Sequence, residues 1–440
     1  MRFSYRDASY DPRNGPDEAT VREFAAAFGD EAFADAVELL AEDGRDRLVD
    51  SFPDEFQDGR IDADDALGQY RRGLHGQYGE FEGVGDVTAE DGAATVSLRF
   101  ADGGVTATVD LAEGGVADLP FPPEYETPDC VDRGAFRERE VTVDAGDVAL
   151  DGVLALPDGD GPFPGVVLVH GHGIHDPDGT AGAAKILRDF GQGLATRGIA
   201  TLRYEKRLAE HEVADENYTL NAVVTDDAVA VLSTLADAAE VSADEVFVAG
   251  HSQGGMCAPR IADRFGDAAG VFLLDPPADP VVDPDDLAWL RYSMEPNGDL
   301  SEEQEAEFED MRETFRRIAD GDFDPDDTVM GYPGVWHRSH RDCDPVATAS
   351  GLGAPVFATT TSRVDEELQP ELHEYRRRGF EQWRTADLPA GSRTERYERV
   401  GHYFQDGPAP WTPVCLYFGG NVADYVVEDA ADWIRGVADA

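Results

Sequence analysis

The sequence predicts an α/β fold: a mostly parallel sheet with helices on both faces, a helical insertion near its middle, and a small α+β domain in front. Three observations carry this. From Arg133 onward, short apolar runs alternate with helical stretches, among them Gly165–His170, Ile199–Tyr204, Val246–Ala249, Ala269–Leu274 and Pro355–Thr359. Such alternation means βαβ units and buried parallel strands. Between Pro276 and Asp344 the strand pattern stops and acidic helix formers replace it. Before Leu119 the order is different: helical segments come first, then strands that alternate apolar and polar like an antiparallel pair.

Taken in order, residues 1–15 read as a polar lead, and 16–119 as the small α+β domain. Asp17–Leu40 has helical periodicity through Val21, Phe24, Phe28, Phe33, Val37 and Leu40, and a second helix is expected over Ala63–Tyr78. Gly92–Arg99 and Val105–Leu111 are the strand pair, with Asp102-Gly103-Gly104 as the turn. Nothing here forms a catalytic constellation. The Pro-rich stretch 120–132 reads as a linker. The second domain, 133–440, opens with a hairpin, Phe136–Val143 and Val148–Leu156. Helices are expected at Ala181–Thr196, Leu220–Ala239, Met256–Phe265 and Val422–Val437, and Arg393–Arg399 is the last strand. In the insertion 276–344, Trp289, Leu290, Phe308, Met311 and Phe315 stand among acidic residues. A long insertion in a compact domain suggests a lid over the strand ends.

Charge narrows the possible partners. The chain has 91 Asp+Glu against 36 Lys+Arg, a net charge of −55, and only Lys185 and Lys206 are lysines. The acid is spread along the whole length, the composition of a protein kept soluble in concentrated salt, as in a halophile. Such a surface argues against binding nucleic acid or an anionic membrane. The start, Met1–Tyr10, is charged, so no signal peptide is expected, and no apolar run approaches a membrane span. Cys130, Cys257, Cys343 and Cys415 are far apart and form no Cys-x-x-Cys. Free thiols in a reducing cytoplasm are expected.

The chemistry gathers around Gly250-His251-Ser252-Gln253-Gly254. A buried strand runs into this Gly-x-Ser-x-Gly and a helical stretch leaves it, the context of a nucleophile elbow with Ser252 as nucleophile. A serine needs a base. His402, on the loop between the last strand and the last helix, occupies the base's place in the order Ser, acid, His. For the acid, Asp365 follows the strand Pro355–Thr359 and a short polar loop, and it is the first choice. Asp275, at the end of the strand after the elbow, is the rival, and Glu366 and Glu367 are adjacent carboxylates. The N–H groups of His172 and Gln253 are the expected oxyanion donors. The same stretch, His170-x-His172-x-x-His175-Asp176, allows a rival reading as a zinc motif, but the Asp that such a motif needs is replaced by Ile174. No metal or cofactor is therefore expected. Arg203-Tyr204-Glu205-Lys206-Arg207 reads as a structural ion-pair cluster.

These residues together resemble the α/β-hydrolase superfamily, in the branch with dienelactone-hydrolase-like and serine-aminopeptidase-like domains. The matching stretches are Pro164–Gly171, Gly193-Leu194-Ala195 with Arg197–Ala200, Leu202–Arg207, Val246-Phe247-Val248, Gly250-His251-Ser252, Gly254-Gly255-Met256 with Ala258–Ala262, and Asp344-Pro345-Val346. The resemblance implies the α/β-hydrolase fold over about residues 135–438, with Ser252 as nucleophile and His402 as base. It implies a serine hydrolase of carboxylic esters or related acyl groups, acting on a small-molecule substrate through an acyl-enzyme and without a cofactor. A peptidase, an acyltransferase or a non-catalytic ligand-binding homologue are the alternatives on the same fold. One departure concerns the acid: in Thr360–Asp365 the position where similar proteins carry Asp falls on Val364.

Overall fold

The computed structural model describes residues 18–53, 61–90, 92–121 and 123–439. The polar lead, the residues around 54–60 and Pro122 of the linker lie outside them. The chain divides into two compact units, residues 1–124 with 407–419, and residues 125–406 with 420–440.

In the first unit, α1 (Glu18–Gly29), α2 (Phe33–Glu38), α3 (Gly44–Ser51) and α4 (Ala63–Tyr78) are followed by β1 (Phe81–Glu90), β2 (Ala93–Phe100), β3 (Gly103–Ala112) and β4 (Gly115–Asp118). The four strands form one antiparallel meander in the order β1-β2-β3-β4. The periodicity of residues 17–40 is split between two helices. The chain turns at Glu31, whose φ is +62°, a conformation that a helix interior does not allow. Helix α4 starts on a capping box between Asp62 and Asp65. The sequence reading gave residues 407–419 to the second domain. They belong to this unit because Val414 and Tyr417 are buried in its core with Phe24, Phe28, Tyr70 and Phe121.

The second unit opens with the hairpin β5 (Phe136–Asp144) and β6 (Ala149–Pro157), then β7 (Phe163–Val169) and the two-residue strands β8 (Thr180–Ala181) and β9 (Ala184–Lys185). Helix α5 (Ile186–Thr196), β10 (Ala200–Tyr204), α6 (Asp226–Ala236), β11 (Val241–His251), α7 (Gln253–Phe265) and β12 (Gly270–Leu274) come next. The insertion holds α8 (Ala288–Met294), α9 (Glu302–Asp320), the short pair β13 (Thr328–Val329) and β14 (Tyr332–Pro333), and α10 (Gly334–Arg341). Helix α11 (Pro345–Ser350), β15 (Val356–Thr361), α12 (Pro370–Thr385), β16 (Arg393–Tyr397) and α13 (Asp424–Ala438) complete the unit.

The main sheet has eight strands in the order β16-β15-β12-β11-β7-β10-β6-β5. All pairings from β10 to β16 are parallel; β6 runs antiparallel to both β10 and β5. Alternation along the strands divides the core between two faces. Val246 and Val248 of β11 join α6 and α7 residues such as Leu232 and Ile261. Phe247 and Ala249 join Phe190 of α5 and Ile434 of α13. Burial on both faces explains why these strands read as continuous apolar runs. The insertion has an apolar cluster of its own, with Leu287, Leu290, Phe308, Phe315 and Ile318. It is tied to α12 by Arg378–Asp286 at 2.5 Å, by Gln382 to Asp279 at 2.7 Å, and by the Tyr292 hydroxyl on Glu371.

Candidate active site

The site lies where β7, β11, β12 and β16 run out at the same end of the sheet. Ser252 stands between β11 and α7 with φ +52° and ψ −115°. Such a conformation in a non-glycine residue costs on the order of 1–3 kcal/mol and persists only where the surroundings fix it. Here the Ser252 N–H donates to the Leu274 carbonyl at 2.8 Å, and the Ser252 carbonyl accepts from the Met256 N–H at 2.9 Å. The glycines on either side make the turn possible. A Cβ on Gly250 would lie 2.3 Å from the Gly254 carbonyl, and one on Gly254 would lie 2.4 Å from the His170 carbonyl oxygen.

His402 sits on the loop after β16. The loop is pinned by Phe404, fully buried beside α5 and α13, and by the Phe404 N–H on the Gly401 carbonyl at 2.7 Å. The His251 Nε2–H donates to the His402 carbonyl at 2.9 Å, and the two rings lie 4.6 Å apart. Burial first, and the neighbouring His402 second, hold His251 well below the usual histidine range, so it is neutral. The variable residue of the Gly-x-Ser-x-Gly turn thus ties the histidine loop to the elbow. Sequence reasoning passed it over, because that position carries no motif constraint.

The carboxylate on His402 is Asp275, not Asp365. His402 Nδ1–H donates to Asp275 Oδ2 at 2.5 Å. Asp275 is 6% exposed and has φ +49°. Its carboxylate also accepts from the Thr361 N–H at 2.9 Å, the Thr361 hydroxyl at 2.8 Å and an Arg376 Nη1–H at 3.3 Å. Burial alone would push this acid up. The Arg376 charge, the bond from His402 and the Thr361 N–H outweigh it and hold Asp275 far below the ordinary carboxylate range. The choice of Asp365 is corrected for a local reason. Its Oδ1 accepts from the N–H groups of Glu367 and Leu368, each at 3.0 Å, so its carboxylate caps its own loop. Glu366 and Glu367 are exposed. Asp275 wins by register. His251 is opposite Leu274 in the β11–β12 pairing, so the residue after Leu274 emerges beside the elbow. The rivalry was visible in the sequence; the helper groups Thr361 and Arg376 carried no signal there.

The loop after β7 brings His172 near the insertion. Its ring packs on Tyr332 and Trp336, with centroids 5.2 and 5.9 Å away. A Cβ built on Gly171 would lie 3.5 Å from the Ser252 Cβ, so this loop borders the elbow directly. Gln253 is the first residue of α7, and its side-chain amide donates to His340 Nε2 at 3.2 Å, while His340 Nδ1–H donates to the Trp336 carbonyl at 2.9 Å. Burial pushes His340 down to about 4, consistent with the neutral tautomer these bonds require. The rival zinc residues are engaged within their own loop. His170 Nε2–H donates to the Asp176 carbonyl at 3.1 Å, and His175 Nε2–H to the His172 carbonyl at 2.7 Å. The Asp176 carboxylate accepts from the Thr180 N–H and hydroxyl at 3.0 and 2.7 Å.

Comparison with known proteins adds the family. No family model matches the chain. Esterase EstD of Thermotoga maritima is 32% identical over 318 residues, covering 71% of this chain and 70% of that protein. The chain belongs to the family of this esterase. Its α/β-hydrolase fold agrees with the mostly parallel sheet described above. Solved structures to which the chain is similar include an esterase of Pyrobaculum calidifontis, 17% identical with a TM-score of 0.44, covering 69% of this chain and 87% of that one. Brefeldin A esterase, a bacterial homologue of human hormone-sensitive lipase, is 14% identical with a TM-score of 0.41, covering 72% and 81%. At these scores the family assignment rests on EstD.

Proposed function

We propose that this protein is a serine carboxylesterase that works through Ser252, His402 and Asp275. The observation that carries the reading is the 2.5 Å bond from His402 Nδ1 to a buried carboxylate at the strand end next to Ser252. With Nδ1 holding its proton on Asp275, Nε2 is the basic nitrogen of the neutral ring. In this mechanism Nε2 takes the Ser252 proton as Oγ attacks the ester carbonyl. The resulting imidazolium faces Asp275, which stays ionised. The N–H groups of His172 and Gln253 stabilise the tetrahedral oxyanion, an interaction in which one donor is worth about 10²–10³ in rate. His402 then protonates the leaving alcohol, and water attacks the acyl-enzyme by the same route in reverse. No step calls on a cofactor.

The insertion acts as a lid in this reading, with Trp336 and Tyr332 of its α10 end packed on His172 beside the nucleophile. An aromatic wall in that place suits an ester with an apolar acyl or alcohol part. The motif stretches around Ser252 and Arg203 support the dienelactone-hydrolase-like branch, and the free thiols of Cys130, Cys257, Cys343 and Cys415 support a reducing compartment such as the cytoplasm.

The test is hydrolysis of a p-nitrophenyl ester in molar KCl by the wild type and Ser252→Ala. The mutant should keep its circular dichroism spectrum and lose turnover. Undiminished turnover in the mutant overturns the serine mechanism. Cleavage of a peptide p-nitroanilide far faster than of the ester favours the peptidase alternative.

A further inference from the structure

The stretch Arg203–Arg207 contains a buried cation that stands outside the ion pairs of its two arginines. Arg203 pairs with Glu138 at 2.7 Å and Asp178 at 3.0 Å, and Arg207 with Asp227 at 2.5 Å and Asp147 at 3.3 Å. Lys206 lies between them, 3% exposed, and among the described residues no carboxylate stands within ion-pair distance of it. Its Nζ donates instead to the backbone carbonyl of Gly171 at 2.7 Å. A buried cation without a counter-charge is costly, and it is kept only where something else compensates.

The Gly171 carbonyl and the His172 N–H belong to one peptide unit. A cation on the oxygen withdraws electron density from the nitrogen and makes its N–H a stronger donor, as in a cooperative hydrogen-bond chain. The same loop is held from its other side. The Lys206 N–H donates to the His175 carbonyl at 3.1 Å, and His175 Nε2–H donates to the His172 carbonyl at 2.7 Å. We propose that Lys206 is a positioning residue for the oxyanion hole: its ammonium fixes and polarises the Gly171–His172 peptide, so that the His172 N–H meets the charge developing in the transition state. This inference rests on the esterase reading and on His172 as a donor in it.

The arrangement predicts a pH dependence. Burial lowers Lys206 to about 8. The titratable groups facing it are His170, His172 and His175 from the loop after β7 and Cys257 from α7. Each histidine is held below its ordinary range, by burial first and by the Lys206 charge in addition. Cys257 is held far above its own range, through its bond with Cys343 and through burial, so it stays a neutral thiol. Lys206 is therefore the group here that loses charge on going alkaline. Stability moves the other way. Between about pH 8 and the ordinary lysine value the unfolded chain binds more protons at this residue, so the Lys206 contribution to stability rises with pH. Loss of the Lys206 charge therefore does not itself destabilise the fold, and melting temperatures read at each pH separate a fall in activity from unfolding driven by buried groups such as Cys257, whose raised range gives the opposite sign.

The experiment measures kcat and KM for a p-nitrophenyl ester from pH 6 to 10, with melting temperatures, for wild type, Lys206→Met, Lys206→Arg and Ser252→Ala. Wild-type kcat should fall above about pH 8 with KM little changed. In Lys206→Met, kcat at pH 7 should fall about tenfold, less than the loss of a whole oxyanion donor, and the alkaline limb should vanish. In Lys206→Arg the charge remains, kcat at pH 7 should recover toward wild type, and the limb should move beyond pH 10. The proposal is overturned if Lys206→Met keeps kcat within twofold, keeps the wild-type limb, or changes KM alone. Should that variant not fold, a wild-type kcat that stays flat to pH 10 while the protein is folded overturns it. Turnover by Ser252→Ala would sink the esterase reading itself. An inactive Ser252→Ala beside an unaffected Lys206→Met sinks only the role of Lys206.

Discussion

Asp275 and Asp365 are both aspartates that follow a parallel strand, yet their surroundings give them unrelated work. Asp275 collects donors from β15, α12 and the His402 loop; Asp365 satisfies two N–H groups of its own loop. Asp275→Asn removes the charge that sets the His402 tautomer and stabilises its imidazolium. By the serine-protease precedent kcat should fall by about 10⁴. Asp365→Asn should leave kcat unchanged and the fold intact, because an Asn oxygen accepts the same two bonds. Steady-state kinetics on the two variants check this, and a large defect in Asp365→Asn would contradict the assignment. Because Asp275 titrates far below the usual range, its favourable contribution to folding is complete above the ordinary Asp value near 4 and is given up only in strongly acid solution. Ser252 and His402 were legible from the motif and from chain order. The acid was not, because what selects it is the β11–β12 register and the bonds of Thr361 and Arg376, none of which leaves a mark in sequence spacing.

At the scale of elements, the elbow depends on backbone closeness. Gly254→Ala would put a methyl 2.4 Å from the His170 carbonyl oxygen, which is backbone and cannot swing away. Either α7 or the loop after β7 must move, and the loop carries the proposed donor at His172. Activity should drop by about 10² or more, the effect of an ångström-scale misplacement, with the melting temperature lowered as well. Wild-type kinetics in Gly254→Ala would contradict this reading of the turn. The buried parallel strands were easy to read because they are apolar on both faces. The edges were harder. β1 contains two glycines and has one buried residue, and β4 spans four residues, so neither shows a clear alternation. Helix α12 was missed because Trp383 is its one fully buried residue, which leaves little apolar periodicity among its charges. Residues 407–419 gave no hint that they pack in the first unit, since membership is decided by long-range packing of Val414 and Tyr417.

The whole molecule carries a net charge of −55. Many arginines are paired along exposed helix faces, as Arg377 with Glu374 at 2.8 Å and Arg384 with Glu381 at 2.5 Å, but solvent and salt screen exposed pairs of this kind, so they offset little of the repulsion. The excess carboxylates repel one another, and molar salt shortens the Debye length to about 3 Å. The melting temperature should therefore rise from low salt to molar KCl, and a flat or falling curve would show that the acidic surface is not a salt adaptation. The central claim, that Ser252 is the nucleophile of a serine esterase, is tested most directly by covalent mapping. The folded protein is treated with a fluorophosphonate in molar KCl, digested and examined by mass spectrometry. The account predicts one adduct, on the peptide containing Ser252, formed with loss of esterase activity in step with labelling. An adduct on another serine, or full activity in protein labelled at Ser252, would contradict it.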